Sequence, residues 1–295
     1  MRKYLTLIFC VLITWITQAQ STTDPSKVTT SGKPEKFHIG LAYSYVNTDL
    51  TLTYMNLQSR IADTDLEENT LTGDEIDDLN SFMKWNEKTQ NLYIVFGMFL
   101  LKKPDHRWQI KANIFAGLSK LRYEIQDTRS DTAHLVSFSS FQKPSLGLQI
   151  GVKYVVNQNW AVVLEPWIAY SWGKLTSIND DLNTELDFAT ESREHDFQCI
   201  YSRINIMAAY TLKRFSFSLG PGLYYIYFTN RYRITRENTQ TGFTTRDEIR
   251  SRLRSKFPLD GVASVAWRII DPLTFRIECA VGSDFLIQPG LYFNF

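Results

Sequence analysis

Apolar side chains at every second position, in stretches of about ten residues, constrain this chain more than any other feature, because that period belongs to the β-strand. One stretch sets Phe37, Ile39, Leu41, Tyr43 and Tyr45 against His38, Gly40, Ala42 and Ser44. Another sets Trp108, Ile110, Ala112, Ile114 and Leu118 against Gln109, Lys111, Asn113, Gly117 and Ser119. Leu146, Leu148, Ile150, Val152 and Tyr154 oppose Gly147, Gln149, Gly151 and Lys153. Phe215, Phe217, Leu219, Leu223, Tyr225 and Tyr227 oppose Ser216, Ser218, Gly220 and Gly222. Near the end, Leu273, Phe275, Ile277 and Val281 face away from Thr274, Arg276 and Glu278. Ile287, Leu291, Phe293 and Phe295 then face away from Gln288, Gly290, Tyr292 and Asn294. Stretches near 89–102, 160–174, 197–212 and 257–270 alternate less strictly.

The connections alternate as well. Short turns fall at Lys103-Pro104-Asp105-His106, Asn157-Gln158-Asn159, Lys213-Arg214 and Asp271-Pro272, and a short hairpin at Gly282-Ser283-Asp284. Longer polar stretches lie near 48–88, 125–143, 175–196 and 230–256. Short turns at one end and long loops at the other are the asymmetry of an outer-membrane barrel. The fold expected is therefore all-β: a transmembrane, antiparallel, up-and-down β-barrel of about ten strands, with short periplasmic turns and long extracellular loops. A count of eight or twelve also fits, if weak strands merge or split. A soluble β-sandwich alternates too, but its core side would be aromatic-rich and its outer side charged. Here the faces opposite the apolar ones are small and polar, and Trp108, Trp160, Tyr170, Trp172 and Trp267 stand near strand ends, as in an interfacial girdle.

The N-terminus reads as a cleaved secretory signal over residues 1–20: Arg2 and Lys3, an apolar run from Tyr4 to Ile16, then Thr17-Gln18-Ala19 as a small-x-small site. Phe9 before Cys10 does not suit a lipid anchor. Residues 21–35 read as a disordered lead-in and 36–295 as the barrel. A net charge of +1 argues against nucleic acid as a partner. The mature cysteines, Cys199 and Cys279, show no zinc spacing; a disulfide in an oxidising compartment is one reading, and two isolated thiols on strands that are not neighbours the favoured one.

The chain closes on Gly290-Leu291-Tyr292-Phe293-Asn294-Phe295, an alternating strand ending in Phe. With the signal and the strand pattern, residues 36–295 resemble the PorT-like outer-membrane β-barrel domain family. The resemblance implies residence in the bacterial outer membrane among its lipids. It also implies recognition of Tyr292, Phe293 and Phe295 by the barrel-assembly machinery during insertion. It supplies no catalytic residue and no cofactor.

Several constellations carry charge. The expected lumen holds Lys111, Lys153, Glu165, Arg203, Asp260, Arg268, Arg276 and Glu278, which in a narrow barrel must pair. They form either an internal ion-pair network that fills the barrel or the lining of a weakly selective pore. Asp63, Asp65, Glu67, Glu68, Asp74, Glu75, Asp77 and Asp78 make the first long loop acidic, without the glycine and spacing of a calcium loop. Thr72-Gly73-Asp74-Glu75 matches a capping box, and Ile76, Leu79, Phe82 and Met83 follow at helical spacing, which predicts a short helix at the barrel mouth. Arg231, Arg233, Arg236, Arg246, Arg250, Arg252, Arg254 and Lys256 make the last long loop basic. Three readings fit it: pairing with the acidic loop, binding an anionic surface such as lipopolysaccharide phosphates, or plain extension of long strands above the membrane.

Ten-stranded omptin proteases use Asp-Asp and His-Asp pairs at the barrel rim. Asp180-Asp181 and His195-Asp196 stand at two ends of one loop here, which fits that arrangement poorly. The expectation is a non-enzymatic barrel with a largely filled polar lumen, serving as a structural, adhesive or secretion-accessory surface protein. The alternative is a narrow pore or transporter for small solutes.

Overall fold

A computed structural model describes residues 36–61, 66–102, 107–129, 135–140, 142–179, 190–237, 242–256, 259–282 and 285–295. The signal and lead-in, 1–35, lie outside the described residues, as do 103–106, Asp63, Asp65, Asp180, Asp181, Ser283 and Asp284. The elements in order are β1 (Phe37–Ile61), β2 (Glu67–Thr70), α1 (Gly73–Phe82), β3 (Met83–Lys102), β4 (Trp108–Asp127), β5 (Leu135–Ser139) and β6 (Lys143–Val155). There follow β7 (Trp160–Asn179), β8 (Thr190–Leu212), β9 (Phe215–Glu237), β10 (Thr244–Ser255), β11 (Leu259–Ile270), β12 (Leu273–Gly282) and β13 (Phe285–Asn294).

At the level of the short turns the sheet is a closed antiparallel ring: β1, β3, β4, β6, β7, β8, β9, β11, β12, β13 and back to β1. The ends of the barrel meet where Ile39 pairs with Phe293 and Leu41 with Leu291. The Phe295 carbonyl accepts from the amides of Lys36 and Phe37, so the terminal residue completes the seam.

Outward on this ring stand Phe37, Ile39, Leu41 and Tyr43 of β1, Leu92, Ile94 and Phe96 of β3, Ile114 and Leu118 of β4, and Ile204 and Ile206 of β8, all exposed. A belt of exposed apolar side chains this continuous is costly in water and suits lipid. Aromatic pairs bound it. Trp108–Tyr154 and Trp160–Tyr210, with ring centroids 4.8 and 4.9 Å apart, sit at the short-turn end. Tyr170–Trp172, stacked at 5.2 Å, sits at the other. The fold is a transmembrane β-barrel.

Above the belt much of what was expected as loop is strand among the described residues, and the reason is physical. Most of 48–61, 83–88, 119–127, 174–179, 190–196 and 230–255 is strand, because alternation continues there with its sense reversed. Asn47, Asp49, Lys84, Lys88, Lys120, Arg122 and Lys174 point outward, while Leu50, Leu52, Trp85, Leu121, Tyr123 and Leu175 are buried inside. Water replaces lipid as the outer solvent, so the wall adopts the ordinary polarity of a soluble protein. From Val46 to Ile61, β1 rises roughly 40 Å beyond the belt at about 3.3 Å per residue and a tilt of about 40°.

The ring also changes size. β12 and β13 form a short hairpin that ends near the top of the belt. Above it β10 pairs with β9 on one side and directly with β1 on the other. β5 replaces β6 between β4 and β7. The upper tier is thus β1, β3, β4, β5, β7, β8, β9, β10: eight strands, against ten below. β10 and β11 continue one path along β9, but the outward parity shifts between them. Arg250, Arg252 and Arg254 point out above; Leu259 and Trp267 point out below.

The helix is where the capping box places it. Thr72 and Glu75 exchange side-chain and backbone hydrogen bonds, and these bonds from Thr72 hold the Glu75 carboxyl below its usual value. Ile76 is buried, and Leu79 packs against the upper core. Met83, expected on the helix, instead begins β3. Asn80 accepts from the Leu52 amide (3.0 Å) and donates to the Leu52 carbonyl (2.8 Å), standing in for the strand neighbour that β1 lacks once β3 has ended.

Candidate functional site

The inside of the barrel is the site that decides what this protein can do. Eight strands enclose an interior that side chains can fill. In the upper tier they meet across the full diameter. β4 and β9 stand opposite each other in the ring of eight, yet the rings of Tyr123 and Phe228 lie 5.1 Å apart. β3 and β8 are also opposite, yet Thr89 lies 3.0 Å from the Tyr201 hydroxyl, and Tyr201 donates to Glu87. Leu52, Leu121, Phe197, Ile226 and Leu253 pack around these contacts with no more than 2% exposure each. This tier has the dry core of a small soluble barrel.

Glu87 sits within that core, in the part of β3 above the belt. Thr89 and Tyr201 donate to its carboxyl and the Cys199 thiol lies 3.9 Å away. Burial outweighs these bonds and pushes the Glu87 carboxyl up. Sequence reasoning missed this cluster. Its signal was present in the inward set Phe197, Cys199 and Tyr201, three large or apolar side chains where a polar lumen was expected.

Below, inside the belt, the interior is polar. Arg276 donates to both oxygens of Glu165 (3.2 and 2.7 Å) and to Glu278 (2.8 Å). The Lys111 ammonium lies 3.9 Å from Glu165, and Asn205 donates to Glu278 at 3.1 Å. Lys111, Glu165, Arg276, Glu278 and Asn205 thus form one chain of contacts joining β4, β7, β12 and β8. Arg203 and Asp260 make a separate pair at 3.1 Å, both side chains 1% exposed. Arg268 stands apart from this chain: its guanidinium reaches Asp271 at 3.5 Å, at the short-turn rim. Lys153 lines the wall below Lys111, and with Gln109, Ser216, Thr274 and Asn294 it borders a cavity of about 460 Å³ at the short-turn end. Small inner residues make room for the bulky ones: a Cβ on Gly147 would lie 2.0 Å from the Phe115 ring, and one on Gly40 2.5 Å from Tyr292.

The His195-Asp196 pair does not form a dyad. His195 points inward and is buried between the rings of Phe138 (4.6 Å) and Tyr232 (5.2 Å). Asp196 points outward, 3.7 Å from Arg233. Neighbours on one strand face opposite sides of the sheet, which separates the two groups.

The basic stretch turns out to be strand, the third of its expected readings. Arg231 and Arg250 pair with Glu248, Arg233 with Glu194, and Arg236 with Asp247 (3.1 Å), so these cations meet acids of their own wall. Cys199 faces the upper core and Cys279 the outer face of β12; both thiols are free. Tyr292 points inward, whereas Phe293 and Phe295 are exposed on the outer face.

No family model matches the chain, and no curated protein is similar to it. The PorT-like resemblance therefore extends to the barrel architecture alone. Among solved structures, the chain is similar to the transport unit of the autotransporter AIDA-I from Escherichia coli, at 11% identity, 96% of each chain and a TM-score of 0.40. It is similar to the outer membrane protease OmpT from Escherichia coli, at 11% identity, 87% of this chain, 97% of that chain and a TM-score of 0.42. It is also similar to the outer membrane protein OprG from Pseudomonas aeruginosa, at 10% identity, 88% of this chain, 97% of that chain and a TM-score of 0.35. At such scores nothing about those proteins transfers, and the barrel stands on its own closed ring of strands.

Proposed function

We propose that this chain is a closed barrel of the bacterial outer membrane that raises a rigid, water-exposed tier above the surface. In this reading it acts as a structural, adhesive or secretion-accessory element rather than a conduit. The observation that carries it is the pair of contacts across the upper ring, Tyr123–Phe228 and Thr89–Tyr201, which leave a dry core where a pore would need water. The polar cavity at the short-turn end supports the same reading, because none of the side chains that line it belongs to that core. The barrel-assembly machinery would engage the seam strand through Phe293 and Phe295. Orientation follows from the turns: short ones inside, the tall tier outside.

Cysteine labelling tests this on intact cells. Arg236→Cys, high on β9, is expected to react with a membrane-impermeant maleimide, while Asn157→Cys, in a short turn, reacts only after the envelope is permeabilised. Labelling of Asn157→Cys in intact cells would overturn the placement.

A further inference from the structure

The outer wall of β7, β8 and β9 carries two depressions, one above the other. The lower lies within the lipid-facing belt. Leu148, Ile150, Ile168, Ile204, Leu223 and Tyr225 surround a groove of about 460 Å³ over the small side chain of Ser202. Pro166 lies in it, and the β6–β7 pairing lapses there, between Gln149↔Trp167 and Val152↔Leu164. The walls are almost wholly apolar.

The upper depression, about 540 Å³, begins where the belt ends. One row of outward side chains crosses it: Trp172, Gln198, Thr229, Arg252 and Tyr54, on five neighbouring strands. At about 4.8 Å between strands the row runs about 19 Å along the curved wall, half-way round the ring of eight. Along β9, Thr229 stands four residues above Tyr225, about 13 Å at a strand's rise. The Arg252 guanidinium lies over the Tyr54 ring at 4.6 Å, with Arg254 one pleat lower on the same face of β10. Among the described residues neither has a carboxylate within ion-pair distance, unlike Arg231, Arg233, Arg236 and Arg250. Asp196, Arg231 and Arg250 line the same depression, and both of these arginines meet Glu248. An apolar groove with the unneutralised Arg252 and Arg254 above it, the first stacked on Tyr54, has the polarity of an anionic amphiphile.

We propose that this surface binds one molecule of lipid A type: an acyl chain in the groove beside Ser202, and a phosphate on Arg252 and Arg254. Arginine suits that role because its planar fork donates two parallel hydrogen bonds to phosphate oxygens. The proposal rests on the outer-membrane reading above, since only that orientation puts the arginines at the outer leaflet.

Native mass spectrometry of the refolded protein, with lipid A or phosphatidylglycerol supplied in detergent, tests it. The wild-type barrel is expected to retain one lipid A and little phosphatidylglycerol. Arg252→Ala/Arg254→Ala is expected to lower the retained fraction about tenfold or more, as is Ser202→Phe, which fills the groove; Arg252→Lys/Arg254→Lys is expected to lose less, because point charges replace bidentate forks. Lys120→Ala, on the outer face of β4 away from the groove, should change nothing. Retention of lipid A by the double alanine variant at the wild-type level would overturn the site, as would equal retention of phosphatidylglycerol. Heat-modifiable gel migration is read on every sample. Its absence in the wild type would count against the barrel itself, whereas unchanged lipid retention by a heat-modifiable variant counts only against the lipid site.

Discussion

Arg203→Ala is expected to cost about 3–5 kcal/mol of unfolding free energy, read as a shift in urea unfolding in lipid vesicles. Arg203 and Asp260 are each 1% exposed and 3.1 Å apart, on β8 and β11. Truncating one partner strands the other charge where water cannot reach it, and that desolvation penalty dominates. Replacing both, as Arg203→Met with Asp260→Leu, removes the penalty along with the attraction. The double variant is expected to lie within about 2 kcal/mol of the wild type on either side. A single variant costing less than about 1 kcal/mol would show that water or mobile side chains already satisfy the pair.

The second large effect separates the two tiers. Phe228 has no exposed surface and reaches Tyr123 across the ring, so Phe228→Ala is expected to cost about 3–5 kcal/mol. Its outward neighbour Thr229 faces water, and Thr229→Arg should move stability by no more than about 0.5 kcal/mol. Lower on the same strand the faces exchange roles. Leu219, 69% exposed, points to lipid, and Leu219→Arg is expected to cost about 2–4 kcal/mol. If Thr229→Arg and Leu219→Arg cost the same, the reversal of polarity along β9 would be wrong.

That reversal explains which parts of the structure were legible beforehand. Inside the belt, apolar-out alternation fixed the faces of β1, β4, β6, β9, β12 and β13 residue by residue, and the pattern ending at Phe295 marked the last strand; that it pairs with β1 comes from the structure. The same alternation placed Lys111, Arg276 and Glu278 on one interior, and the weaker stretch near 160–174 added Glu165, though not which charges meet, because that depends on neighbours far apart in sequence. Above the belt, Leu50, Leu52, Tyr123 and Phe228 still alternate with polar side chains, but an outward apolar rule reads such segments as loops. Two local features hid the continuation further. A bulge between Leu52 and Tyr54 shifts the phase of β1, and the parity change between Arg254 and Leu259 breaks the pattern where the ring loses its hairpin. The polar-outside, apolar-inside pattern of a soluble β-protein, set aside with the sandwich for the whole chain, is the pattern of its upper tier.

The lumen decides the account. Single-channel recording of the refolded protein in a planar bilayer, with insertion confirmed by heat-modifiable migration of the same sample, addresses it most directly. A closed upper tier predicts inserted protein with no reproducible current steps. Stable, ohmic steps from the wild-type barrel would contradict the dry core between Tyr123 and Phe228, and would make the charged cavity beneath it part of a conducting path.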